Sequence, residues 1–516
     1  MKKIFAIIVF AICAVSAYAQ TAEDALLFSQ ENFEGTARTM AMGNAFTALG
    51  GDVGALSINP AASGVMRCSQ ITFSPGFTTA KSQTSYLGDI NKDGNTAFTL
   101  SNFGSVLSFD TNNYSGLLNF NFGFAYNKKN SYRSTMYTTG RTDGSSYLAS
   151  LAEGLSGFDC RDLDIMDYQD PFYDTNASWP GILAWNTFVL SDLNFFGGHH
   201  LGDYEHYAAS TENYDKDNDV FYIGGYLDQT HSRVTKGSNE EYVFNFGGNI
   251  DDIVYFGVNL NLSSIDYMIE ETYSEVAENP DDFEDGFDGM TNEYWQHTTG
   301  AGFNAKFGII VNPVGGLRLG ATVSTPTWYD MTDNWDWTMC TSFNNGHRYT
   351  EGSPTGAWEY KLTTPWRWSV GAAYTLYDLG LISVDYECVD YSSTVLKGMD
   401  GRLSEYSGEN SYMQSNFGTS STIRAGIEIR PTPVISLRGG YIHSSAPVYY
   451  YNSTDIVSCG IGFNFNQTTS LDFAWSKMLG KTSSYTLYDG YSGISAPEGL
   501  INSSLSKVVC TLALRF

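Results

Sequence analysis

Charge is scarce in this sequence. Asp, Glu, Lys and Arg together make up 16% of 516 residues, whereas a soluble globular domain carries about 25%. Positive charge is scarcer still: 28 Lys and Arg stand against 56 Asp and Glu, a net charge of −28. That balance argues against a nucleic-acid partner. Beyond the first residues there is no apolar run near ~18 residues, so no transmembrane helix is expected. The 7 Cys are far apart and form no CxxC pair, which leaves neither a zinc site nor a disulfide framework. No GxSxG motif is present. The 7 His gather in segments that read as loops. No enzyme, no cofactor and no metal site is assigned.

What is abundant is Gly (52), Tyr (35) and Phe (32). The chain opens MKKIFAIIVFAICAVSAYAQ. Lys2 and Lys3 precede a short apolar run, and Ala17-Tyr18-Ala19 is a small-x-small cleavage signal. Residues 1–19 therefore read as a signal peptide with Gln20 starting the mature protein. Loss of the two lysines takes the charge from −28 to −30.

The dominant period is two. In "LLNFNFGFAYN", Leu118, Phe120, Phe122, Phe124 and Tyr126 share one strand face. Asn119, Asn121, Gly123, Ala125 and Asn127 share the other. The same split recurs at 256–263, 303–309, 317–324, 366–375, 423–428, 457–465 and 507–516. A soluble sandwich buries its apolar face, but an outer-membrane barrel turns that face to lipid and lines its lumen with the polar one. Connector lengths favour the barrel. Short connectors near 111–113, 251–252, 312–316, 378–380, 431–433 and 466–467 alternate with long ones near 83–95, 134–239, 274–293, 331–363, 397–416, 446–453 and 481–502. Short periplasmic turns and long outer loops are the barrel pattern, and closure leaves no strand edge in hydrocarbon. The expectation is an all-β, fourteen-stranded antiparallel transmembrane barrel in the outer membrane of a Gram-negative envelope. Leu512, Leu514 and Phe516 form the end of its last strand, the expected signal to the barrel assembly machinery.

Residues 41–65, "AMGNAFTALGGDVGALSINPAASGV", are rich in small residues. Their glycine spacing fits no phosphate loop, and about fifty residues with few large apolar side chains are too few for a free-standing domain. A plug inside the barrel is the remaining reading. Asp52 can cap one short helix, and Asn59 followed by Pro60 suits the start of another.

With Arg38 ahead of this segment, Asn59-Pro60-Ala61 within it, and "PWRWSVGAAYTLYDLGLISVDYE", "ISLRGGYIHSSAPV" and the terminal Phe516 after it, the chain resembles the FadL/TodX family of outer-membrane hydrophobic-compound transporters. The resemblance covers most of the mature chain except 134–239. It implies a monomeric barrel over 70–516 and an N-terminal hatch over 20–69, with Arg38, Gly43, Asn44, Phe46, Asn59, Pro60 and Ala61 among the hatch residues. It further implies an apolar ligand, such as a fatty acid, captured by outer loops. A hatch shift and a kink in the third strand, here 117–133, would release it sideways into outer-membrane lipid. Gly123 is the one kink residue the sequence offers.

Lys306, Arg318, Arg367, Asp385, Glu387, Arg424, Glu428, Arg438, Lys507 and Arg515 fall on the lumen face. They read either as a salt-bridge network or, for Arg318, Arg367, Arg424 and Arg438, as receivers of a ligand carboxylate. In the insertion, Tyr147, Leu148, Leu151 and Leu155 share a helical face capped by Ser145 or Asp143. Trp179, Trp185 and Phe188 follow. They form a subdomain core or an exposed capture groove. Asp89, Asn91, Asp93 and Gly94 match the early EF-hand spacing, but Leu100 takes the twelfth position. Asp215, Asp217 and Asp219 lack the glycine. Solvated turns are expected at both, and a flexible loop at His199, His200, Asp203, Glu205 and His206. The alternative function is a FadL-like barrel serving as a protein-secretion shuttle or surface scaffold.

Overall fold

The computed structural model describes residues 21–166, 168–193, 204–376, 379–449 and 451–516. The signal peptide and the residues 199, 200 and 203 lie outside the described residues.

Fourteen strands follow one another around a closed antiparallel barrel. They are β1 (Gln70–Tyr86), β2 (Asp89–Asp110), β3 (Leu117–Ser131), β4 (Leu227–Ile250), β5 (Val254–Ala277), β6 (Phe287–Val314) and β7 (Leu317–Ser324). The circuit continues through β8 (Arg367–Thr375), β9 (Gly380–Asp390), β10 (Thr419–Ile429), β11 (Ile435–Ser444), β12 (Thr454–Asn464), β13 (Thr469–Met478) and β14 (Glu498–Arg515). β14 pairs back onto β1, Leu514 opposite Ile71 and Lys507 opposite Thr78. At the seam, Phe516 and Ser69 exchange two backbone hydrogen bonds of 3.0 and 3.1 Å. Among the described residues no edge strand is left in the membrane zone, as hydrocarbon demands.

The two faces segregate by the period of the pleat. Phe77, Phe98, Phe122, Phe244, Leu260, Phe303, Trp368, Val384, Ile423, Trp475 and Leu512 point outward and are exposed. Asn121, Asn127, Asn245, Asn259, Asn261 and Asn304 point inward and are buried. A belt of exposed apolar side chains around a closed barrel is stable only in lipid, so the protein resides in the outer membrane. The short connectors are tight turns. Asp251 and Asp252 both take positive φ (54° and 58°), as a hairpin that follows strand twist requires.

Several predicted outer loops are strand instead. Residues 83–95 form the end of β1, the Leu87-Gly88 turn and the start of β2, paired without interruption from Tyr86–Asp89 to Ala80–Asn95. The Asp89–Gly94 spacing therefore sits on a strand and not in a cation loop. β5 and β6 run for 24 and 28 residues, whereas about 9–11 tilted residues cross a bilayer. Polarity suggested loops there. Yet Ile265, Tyr267, Ile269 and Tyr273 share one buried face there, and β-branched and aromatic side chains favour a pleated, half-buried surface. The insertion narrows likewise: Ser134–Thr142 pairs with β4, leaving 143–226 for the outer subdomain.

The hatch fills the barrel from the N-terminal side. Helix α1 (Ala22–Ser29) starts with a capping box between Thr21 and Asp24. Helix α2 (Ala37–Ala41) is capped by Thr36. Two 3-10 turns follow, Gly54–Ser57 and Pro60–Ala62. Asn59 caps the second, its Oδ1 accepting from the Ala61 N–H at 3.0 Å. Asp52 accepts from the Gly54 N–H at 2.9 Å and from the Thr36 hydroxyl at 2.8 Å.

Candidate functional site

The hatch is held by backbone recognition. Its carbonyl groups, orphaned at the ends of short helical turns, meet a wall of asparagine amides. Asn245 Nδ2 donates to Pro60 O (2.9 Å), Asn259 Nδ2 to Leu56 O (2.8 Å) and Asn119 Nδ2 to Met66 O (3.2 Å). Asn121 donates to Ser63 O. The hatch reciprocates, Asn59 Nδ2 reaching Ile309 O of the wall at 3.3 Å as well as Thr47 O within the hatch at 2.6 Å. Close approach needs glycine on the wall. A Cβ on Gly308 would stand 1.9 Å from Asn59 Oδ1, and one on Gly440 would stand 2.1 Å from the Gly43 nitrogen. Gly43 and Asn44 themselves take positive φ (62° and 55°) where the chain turns after α2, and Phe46 is fully buried beneath the Arg38 guanidinium, 5.4 Å from its ring centre.

Charges complete the seat in two clusters. Glu428 receives Arg38 (3.1 Å), Arg438 (2.7 Å) and Arg430 (2.6 Å), and Arg438 also reaches Asp472 (2.5 Å). Glu31 of the hatch joins Lys129 (2.7 Å) to Arg367 (3.3 Å), and Glu387 joins Arg367 (3.5 Å) to Arg424 (3.1 Å). Arg318 donates to Leu49 O at 2.6 Å, and Asp385 accepts from the Thr47 N–H at 2.8 Å. The four arginines thus part ways. Arg318 and Arg438 are spent beneath the hatch. Arg367 and Arg424 line a cavity of about 330 Å³ between the hatch strap 30–33 and the inner wall of β6–β13. Lys306 is the third cation of that cavity, donating to Ser57 O and standing 5.2 Å from the Phe33 ring centre. Ser324, Ser369, Ser420, Thr422 and Ser444 add hydroxyls, and Ile442, Val389, Ile456 and Met478 add apolar surface.

A seam lies in the wall beside the strap. β2 and β3 pair only from Asp110–Asn119 to Asn102–Asn127. Above that point β2 stays with β1 and β3 with β4, and the β3–β4 register slips between Lys128 and Asn130. The third strand slips register twice, at Leu117–Asn119 by the short turn and at Lys128–Asn130 beside the strap. Gly123, the expected kink residue, keeps a regular register between Val106 and Asn245. The hatch closes the seam. Asn32 and Glu34 donate their N–H groups to Lys129 O (2.8 Å) and Lys128 O (3.0 Å). The fully buried Glu34 carboxylate takes Ser101 Oγ at 2.8 Å from β2 and Lys507 Nζ at 3.0 Å from β14.

Glu31, Glu34 and Lys129 were not singled out in the sequence. A signal existed: the lumen face carries seven basic residues among the ten charges named above but only three acidic ones, and the missing carboxylates are supplied by the hatch.

The outer subdomain is a packed core. Leu148, Leu151, Leu155 and Trp179 are buried with Ile182, Leu183, Trp335 and Met339. Tyr147 and Trp185 are half-buried against it, the Trp185 indole donating to Asp164 at 2.8 Å. Phe188 stands out, 60% exposed. The cap of the helix α3 (Tyr147–Gly154) is Ser146, in place of the expected Ser145 or Asp143. Ser146 Oγ and the Tyr147 N–H both donate to Glu275 at 2.7 Å, tying the subdomain to β5. Asp215 accepts from the Asp217 and Asn218 N–H groups in an exposed turn. Among the described residues no group of three or more His, Cys, Asp or Glu is placed to hold a metal ion.

Fold and seat together define a class: an outer-membrane β-barrel closed from within by its own N-terminal hatch. No family model matches the chain, and no curated protein matches it in sequence. Solved structures do. The Pseudomonas putida toluene transporter TodX superimposes with a TM-score of 0.53 at 11% identity, covering 94% of this chain and 99% of that one. A Pseudomonas aeruginosa FadL homologue gives 0.53 at 12% identity, with the same coverage. At such identities the likeness is one of fold: this chain has the plugged barrel of the FadL/TodX proteins.

Proposed function

We propose that the protein passes an amphiphilic small molecule, with an apolar body and an anionic head, inward across the outer membrane. Fatty acids are the nearest chemical example. The carrying observation is the cavity above the hatch, where Arg367, Arg424 and Lys306 face two carboxylates, Glu31 and Glu387, among hydroxyls and aliphatic side chains. The three cations outnumber the two carboxylates by one, which suits one further anion. A guanidinium takes a carboxylate in a charge-assisted pair, and the aliphatic wall accepts the tail. The TodX and FadL-homologue folds support a transport role. The polar wall favours a headgroup-bearing solute over a bare hydrocarbon.

Exit follows from the seam. Glu34 and Asn32 are the stitches between the hatch strap and the β3 irregularity, so a hatch shift that withdraws 31–34 unseals the wall between β2 and β3. Native mass spectrometry of detergent-purified protein tests the reading. Retention of a carboxylate-bearing lipid, lost on Arg424→Gln, is expected. No bound amphiphile in repeated preparations would overturn it and favour the secretion-shuttle alternative.

A further inference from the structure

The outer wall carries a feature that transport does not use. Lys477 on β13, Lys81 on β1 and Lys92 on β2 point outward from neighbouring strands. Each shares its strand face with an apolar residue nearer the periplasmic end: Trp475 two residues from Lys477, Phe77 four from Lys81 and Phe98 six from Lys92. The register places them together. Lys477 is opposite Ser506 and Lys81 opposite Ser504 across β14. Lys81 is opposite Gly94, two residues from Lys92. At ordinary strand spacing the backbone positions lie roughly 12 Å (477 to 81) and about 8 Å (81 to 92) apart, within the combined reach of flexible lysine side chains. Thr79 and Thr96 share a hydroxyl hydrogen bond of 2.9 Å on the same surface.

Two observations set this patch apart. Carboxylates outnumber bases two to one in the chain, and the cation clusters of the lumen are paired with them. Among the described residues none of these three ammonium groups has a carboxylate within 4.0 Å. Elsewhere on the outer face lysines are matched by carboxylates: Lys128 of β3 stands opposite Glu240 of β4, and Lys236 of β4 pairs with Glu270 of β5 at 2.6 Å. A cluster of unneutralised lysines at the upper edge of an apolar belt faces the headgroup layer, where anionic lipid attracts basic side chains.

We infer that Lys81, Lys92 and Lys477 form a binding site for the phosphate groups of an anionic glycolipid in the outer leaflet. The ammonium groups take the phosphates, the Thr79 and Thr96 hydroxyls flank them, and the acyl chains lie along Trp475, Phe77 and Phe98. The site anchors the β13–β2 sector, next to the β2–β3 seam, against the bilayer.

The test uses the full-length protein in detergent, incubated with bis-phosphorylated lipid A, its dephosphorylated counterpart or phosphatidylcholine, and read by native mass spectrometry. Retention of the bis-phosphorylated lipid is expected. The triple variant Lys81→Gln, Lys92→Gln, Lys477→Gln lowers retention at least ten-fold, and Glu240→Gln with Asp266→Asn leaves it unchanged. A heat-modifiable gel shift identical to that of the parent protein shows that each variant barrel is folded. Equal retention by the triple variant, or equal retention of the dephosphorylated lipid, overturns the inference. So does complete displacement by millimolar inorganic phosphate, which would mark a site for a soluble anion.

Discussion

Arg424 is the cleanest probe of ligand recognition. Its guanidinium meets Glu387 at 3.1 Å on the cavity wall and has no ion pair with the hatch among the described residues. Replacing it with Gln leaves Glu387 paired with Arg367 at 3.5 Å, so the hatch keeps its Arg367–Glu31 and Lys129–Glu31 ties. A hydrogen bond to a charged partner is worth about 1.5–3 kcal/mol, which predicts roughly 10- to 100-fold weaker binding of a carboxylate ligand. The assay compares a long-chain fatty acid with the alcohol of the same chain length, by calorimetry on detergent-purified protein and by uptake at matched barrel abundance. The parent protein should prefer the acid, and Arg424→Gln should bind acid and alcohol alike. An unchanged preference at equal abundance would refute the argument that the cavity cations read a headgroup. Arg438→Gln serves as contrast, because Arg438 is enclosed between Glu428 and Asp472 and does not line the cavity.

Glu34→Ala removes the carboxylate that joins Ser101 of β2 and Lys507 of β14 to the strap, and should raise ion leakage in planar bilayers while the barrel still assembles. Gly308→Val should unseat the hatch, since its Cβ would stand 1.9 Å from Asn59 Oδ1; leakage equal to that of the parent protein would contradict the close-packed seat. In the outer subdomain, burial followed by the nearby Glu153 charge pushes the Glu212 carboxyl up to about 7. A raised folded value means that its contribution is present below the usual carboxylate range near 4.5 and is lost as pH rises through about 7. The subdomain should therefore resist protease better at pH 5 than at pH 8, by at most about 3 kcal/mol, and Glu212→Gln should flatten that difference.

The barrel was legible because lipid imposes a strict code. Every second residue faces hydrocarbon, so Phe120–Tyr126 or Val508–Phe516 announce themselves without any partner. The hatch was legible for a related reason, since only small residues fit beside strand glycines such as Gly308 and Gly440. The upper strands were not, because above the membrane nothing forces the outward face to be apolar, and Asp89–Asn95 looks like a loop until its pairing with Ala80–Tyr86 is seen. The seam was hidden for a different reason. Gly123 carries the residue type associated with a kink, but the slip at Lys128–Asn130 is set by where β3 trades β2 for the hatch strap, a tertiary choice with no local mark. Glu31 and Glu34 sit in a polar stretch of the hatch ahead of its small-residue segment, and only the surplus of lumen bases pointed to them.

The central claim is that residues ahead of β1 are the stopper of an otherwise complete barrel. Deleting 20–67 and recording conductance in planar bilayers tests it most directly. β1–β14 closure does not involve those residues, so the deleted form should still assemble, shift on heating and conduct as a wide, steadily open pore, whereas the full chain stays closed. A deleted barrel that assembles and remains closed would place the plug elsewhere and contradict the account.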